Sequence, residues 1–143
     1  MANLNYGWKY GERMPVRVPV DSSTTAIAVG DFITIATAGY YKKWTTGTVV
    51  YGVAMEQLDT AEIPASDGGA YLTVDVSPNS VYAYPVSSGT LGVAMRGKTC
   101  DAGAAQGIAV DASTNDDIHI IEADTTNQVA LVRLLIPSLG GVV

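Results

Sequence analysis

Hydrophobic and polar positions along this chain follow the two-residue period of strands, and no segment keeps a helical period over three turns. The clearest run interleaves Ala70, Leu72, Val74 and Val76 with Tyr71, Thr73, Asp75 and Ser77, which describes a half-buried strand. Strands are also predicted over residues 14–20, 24–29, 32–37, 40–45 and 48–55, with turns at Gly30-Asp31, Ala38-Gly39 and Thr46-Gly47. Residues 81–86, 90–98, 108–110, 118–122 and 128–135 continue the series, the last two joined by a turn at residues 124–127. Such close spacing predicts an antiparallel meander. Pro15 and Pro19 cannot donate ladder hydrogen bonds, so their strand belongs at a sheet edge. The polar stretch 56–69 is the longest loop expected, able to project from the body, and 101–107 reads as a small-residue loop.

The fold expected is all-β, a single compact antiparallel barrel or sandwich with extended terminal segments. Residues 1–13 form an N-terminal arm, 14–136 the β-domain and 137–143 a C-terminal tail. Its predicted core holds Ile33, Ile35, Val49, Val53, Leu72, Val74, Val76, Ile118, Ile120, Val129 and Leu131. Gly52-Val53-Ala54-Met55 recurs as Gly92-Val93-Ala94-Met95; if the repeat is structural, it marks two equivalent strands.

Composition narrows the function. At 143 residues the chain supports one well-buried core. It is 48% hydrophobic and only 15% charged, against about a quarter in ordinary globular chains. A net charge of −6 with eight scattered basic residues argues against nucleic acid. Cys100 is the single cysteine and forms no intrachain disulfide, which suits a reducing cytoplasm; it reads as a small buried apolar residue. No signal-like run opens the chain, and no stretch reaches the ~18 apolar residues of a membrane helix, so a soluble protein with no membrane partner is expected.

Candidate chemistry is thin. Asp111, Ser113, Asn115, Asp117 and Glu122 echo the oxygen spacing of a calcium loop. Asp116 stands where that loop needs Gly, and the flanks are strands, so an acidic turn is the better reading and no metal or cofactor is expected. His119 alternates with Ile118 and Ile120 and has no second His at ligand spacing. Asp59 and Glu62 have no pocket-forming neighbours to separate their acidities. The chain is therefore not expected to be an enzyme.

The ends point to binding instead. Tyr6, Trp8 and Tyr10 share one face if extended. They either cover the protein's own sheet or anchor on a partner, where such rings dominate contact energy; the second reading is favoured because Pro15 and Pro19 fence the arm from regular pairing. The apolar tail, with Leu139 and Val142, also calls for a docking surface.

Several stretches resemble one family. Ala28-Val29-Gly30-Asp31-Phe32-Ile33, Tyr51-Gly52-Val53-Ala54-Met55-Glu56, Ser88-Gly89-Thr90-Leu91-Gly92-Val93-Ala94 with Gly97-Lys98, and the closing hairpin 124–134 are similar to the head decoration, or cement, proteins of tailed bacteriophages. The resemblance spans roughly residues 14–136 in style, through short motifs of common residues. It implies a β-tulip or jelly-roll-like subunit, self-associating as a dimer or trimer. Such a subunit binds the outside of a capsid after assembly in the host cytoplasm, clamps neighbouring major capsid subunits and stabilises the virion. One rival is a tail- or fibre-associated module binding carbohydrate on Tyr40, Tyr41 and Trp44, although ordinary sheet packing is the favoured reading of those rings. A second is a calcium-stabilised β-domain around Asp111–Glu122.

Overall fold

A computed structural model describes residues 7–135 and is all-β, two sheets packed together. The first sheet contains β1 (Gly7–Tyr10), β7 (Val81–Ser88), β8 (Thr99–Ala104), β9 (Gly107–Ala109), β10 (Ile118–Asp124) and β11 (Val129–Leu134). Their order is β1-β7-β11-β10-β8-β9. The second contains β2 (Pro15–Pro19), β3 (Phe32–Ile35), β4 (Tyr41–Lys43), β5 (Gly52–Ala54) and β6 (Tyr71–Asp75), ordered β2-β6-β5-β3-β4. Both sheets curl. β9 pairs antiparallel with β8 and parallel with β7, and Val20 bridges Tyr41 across the ends of the second sheet. Pro15 and Pro19 lie on the edge strand β2, where a missing donor costs no ladder bond.

Each sheet encloses its own core. Tyr82, Tyr84, Cys100, Ile108, Ile118, Ile120, Val132 and Leu134 fill the first, together with Phe32, Trp44, Val50 and Val53 from the other sheet and its connections. Val18, Val20, Ile27, Ile33, Ala54, Leu58, Leu72, Val74 and Val76 fill the second. Adjacent residues Phe32 and Ile33 thus enter different cores, so β3 is buried on both faces and its pattern does not alternate.

Several expectations need correction. Residues 24–29 form no strand; Ile27 alone bridges Leu58. That bridge draws the 56–69 loop onto the body, where Leu58 and Ile63 cover the second core instead of projecting. Residues 90–98 contain a 3-10 turn at Val93–Met95 rather than a strand. The expected loop at 101–107 instead supplies most of β8. Here β7, β8 and β9 approach so closely that a Cβ on Gly103 would meet Ser87 Oγ at 2.2 Å, and small residues are the ones that fit. The two Gly-Val-Ala-Met copies are not equivalent, since the first builds buried β5 and the second the exposed 3-10 turn.

In the core, Ile33, Val53, Leu72, Val74, Val76, Ile118, Ile120 and Val129 are buried. Ile35, Val49 and Leu131 are only half-buried. Val50 takes the place of Val49, and β11 turns Ala130, Val132 and Leu134 inward, leaving Leu131 on the outer face beside Glu122.

Candidate functional site

Residues 7–10 of the expected arm are not detached from the body: they pair with β7 as an edge strand. Pro15 and Pro19 do not prevent this, because they lie beyond a break at Gly11–Met14 and belong to the other sheet. Gly11 makes the break possible. Its φ is +93°, and a Cβ there would meet the Asn79 carbonyl oxygen at 2.1 Å.

The aromatic positions depart from simple alternation. Trp8 lies across from Tyr82, but a bulge then places Tyr10 across from Val81. Cross-strand partners share a face, and Val81 and Tyr82 point to opposite faces of β7. Trp8 and Tyr10 therefore fall on opposite faces, because the bulge adds a residue that breaks period-two parity. Both remain exposed, at 42% and 52%. The Arg13 guanidinium sits 4.5 Å from the Trp8 ring centroid, and Trp8 Nε1 donates to the Gly11 carbonyl at 3.2 Å, so the ring is held in place. Tyr6, Leu139 and Val142 lie outside the described residues.

Behind the bulge, on the outer face of the first sheet, Lys9, Ala83, Val129, Leu131, Glu122 and Asp124 line a shallow groove of about 240 Å³. Its floor is apolar and its rims carry opposite charges. Glu122 is ion-paired with Arg96; the Ala123 backbone N–H and Arg96 hold its carboxyl below the ordinary range.

Asp75 ties this edge to the body. Its Oδ1 accepts the Met14 and Ser77 backbone N–H groups at 2.9 and 3.0 Å, and its Oδ2 accepts Ser80 Oγ at 2.7 Å and the Tyr82 hydroxyl. Burial, then the hydrogen bond to Asp75 and its charge, push the Tyr82 phenol far above its ordinary range. Asp75, Asp21, Asp31 and Asp101 are all buried carboxylates that accept backbone N–H groups from turns. Strand patterning along the chain does not single them out. For Asp21 and Asp75 a signal was present in Asp-x-Ser at 21–23 and 75–77, where each carboxylate accepts the N–H two residues on, as exposed Asp124 also does at 124–126. Asp31 and Asp101 carry no such motif.

The acidic loop wraps a carboxylate. Asp101 accepts the N–H groups of Thr114, Asn115 and Asp116 at 2.9, 2.8 and 2.7 Å. Asp116 itself adopts φ +53°, the conformation for which a calcium loop uses Gly. The oxygens that suggested a cation do not converge: Asp111 accepts Ser88 Oγ, Asp117 is buried, and Glu122 meets Arg96 on the outer face. Among the described residues no group of three or more His, Cys, Asp or Glu side chains is placed to hold a metal ion.

Other candidates separate as well. His119 lies on the outer face, half-buried, across from Arg133 and Thr99. Cys100 is buried, and burial followed by the charges of Asp101, Asp116 and Asp117 raises its thiol to about 12, which leaves it protonated and unreactive. Glu62 Oε1 accepts the Asp59 backbone N–H at 2.8 Å, capping an exposed 3-10 turn (Thr60–Glu62). Trp44 is 6% exposed, donating Nε1 to the Thr48 carbonyl at 2.7 Å, so Tyr40, Tyr41 and Trp44 form no shared platform. No helix among the described residues is long and apolar enough to cross a membrane. No protein-family model, no curated protein and no solved structure matches the chain.

Proposed function

We propose that this chain is a structural virion protein, a decoration or cement subunit. It binds the outer surface of a phage head, clamps neighbouring major capsid subunits and self-associates as a dimer or trimer. The observation that carries the reading is the edge strand β1, which displays Trp8 and Tyr10 while Asp75 and Arg13 fix the chain around it. Large, rigid, exposed rings on the two faces of an edge strand suit a contact surface, and many such contacts repeated over a lattice give strong avidity. The low charge density and the motifs shared in style with cement proteins support the same conclusion. The carbohydrate reading is less well supported, since Trp44 belongs to the core.

Co-sedimentation with purified capsids, expanded against unexpanded, tests the proposal. The full chain should pellet with capsids, and W8A with Y10A should weaken binding by about 30-fold or more while the subunit stays folded. No co-sedimentation with either capsid form would overturn it.

A further inference from the structure

Asp117 is the one carboxylate among the described residues with a buried side-chain oxygen that lacks a hydrogen-bond partner. It precedes β10, is 3% exposed, and its Oδ2 has no hydrogen-bond partner. In an ionised carboxylate so placed, this oxygen has lost water without replacement. The groups around it add to the cost. From β8 come the acid Asp101, its own oxygens already engaged by three backbone N–H groups, and the neutral thiol of Cys100. From the loop comes Asp116, whose Oδ1 accepts Thr99 Oγ1 at 3.0 Å. No Lys or Arg among the described residues pairs with Asp117. The backbone of the same residue also makes a connection of its own. Its carbonyl accepts the N–H of Leu135 at 2.8 Å, where the chain leaves β11.

We propose that Asp117 is a proton-operated latch joining the acidic loop and the start of β10 to the chain at Leu135, closed when its carboxyl is neutral and loosened when it is ionised. The inference does not depend on the capsid reading. Burial, followed by the charges of Asp101 and Asp116 and opposed by the Val50 backbone N–H, raises this carboxyl to about 6. The sign follows from linkage. The folded state holds the proton more tightly than the unfolded state, so this site's contribution falls as pH rises from the ordinary Asp range to about 6, and stays low above it.

The test compares the full chain with D117N between roughly pH 4 and pH 8 by denaturant unfolding. At the upper end D117N should have the larger folding equilibrium constant, by up to about 100-fold for a shift of about two pKa units, and the difference should close at the lower end. A difference that is the same at every pH, or D117N less stable at the upper end, would overturn the latch. Carboxyl carbon NMR of the unmodified chain guards against a variant that simply packs badly. An Asp117 midpoint near 6, with Leu135 amide protection lost through the same range, supports the proposal. A midpoint in the ordinary Asp range, or Leu135 protection that ignores it, refutes it.

Discussion

The Tyr82 hydroxyl donates to the Asp75 carboxylate, and through this pair the core of the first sheet is joined to the chain entering the second. Tyr82 stacks on Tyr84 at 5.8 Å, while Asp75 ends β6 and holds the Met14 backbone. Tyr82→Phe should cost about 1.5–3 kcal/mol, the worth of a hydrogen bond to a charged acceptor. Asp75→Ala should cost more, about 3–5 kcal/mol, because several buried donors lose their acceptor together. Denaturant unfolding orders the two variants, and equal losses would show that Asp75 acts through Tyr82 alone.

Deleting residues 2–12 removes β1, and the sequence alone predicts that the truncated subunit melts normally. Its pairing with β7 changes that outcome. Losing the edge ladder and the Arg13–Trp8 contact should destabilise the body by about 2–3 kcal/mol. An unchanged melting temperature would mean that β1 is only weakly held.

The acidic loop is organised by Asp101. Asp101→Ala should cost about 2–4 kcal/mol, since three backbone N–H groups lose a charged acceptor. Chelator should leave the melting temperature of the unaltered chain where it was. A large drop on chelation would restore the calcium reading of Asp111–Glu122.

The two Gly-Val-Ala-Met copies give a matched pair of variants. A Cβ on Gly52 would meet Val74 Cγ1 at 2.4 Å and the Asp75 carbonyl oxygen at 2.9 Å, whereas one on Gly92 would meet nothing within 4 Å. Gly52→Ala should therefore cost about 1–3 kcal/mol by overpacking, and Gly92→Ala less than about 0.5 kcal/mol. Similar losses at both would contradict the different environments of the copies.

Asp21 supplies a pH dependence opposite to that of Asp117. The Ser23 hydroxyl first, then the Ser23 N–H, hold its carboxyl below the ordinary range against the effect of burial. A depressed folded-state value stabilises above the ordinary Asp range, and this contribution is lost as pH falls through it. Asp21→Asn should cost about 1–2 kcal/mol at neutral pH, and the difference should shrink on acidification. A constant difference in acid unfolding curves would show that Asp21 acts by shape rather than charge.

Strand composition, turn residues and the edge position of Pro15 and Pro19 were legible along the chain, because backbone preference and period-two patterning are local properties. So were the alternation through Leu72, Val74 and Val76 and the outward placement of His119. What tertiary structure decided was which face each residue meets. Phe32 and Ile33 are neighbours in different cores, a division that exists only once two sheets pack. Small residues 101–104 became a strand because β7 and β9 close around them, which no propensity records. A single bulge separated Trp8 from Tyr10, since one extra residue reverses parity for everything beyond it. The buried aspartates have the same cause. A carboxylate's role depends on which N–H groups folding brings within reach, and Asp101 meets the 114–116 backbone in a structure where β8 lies paired with β10.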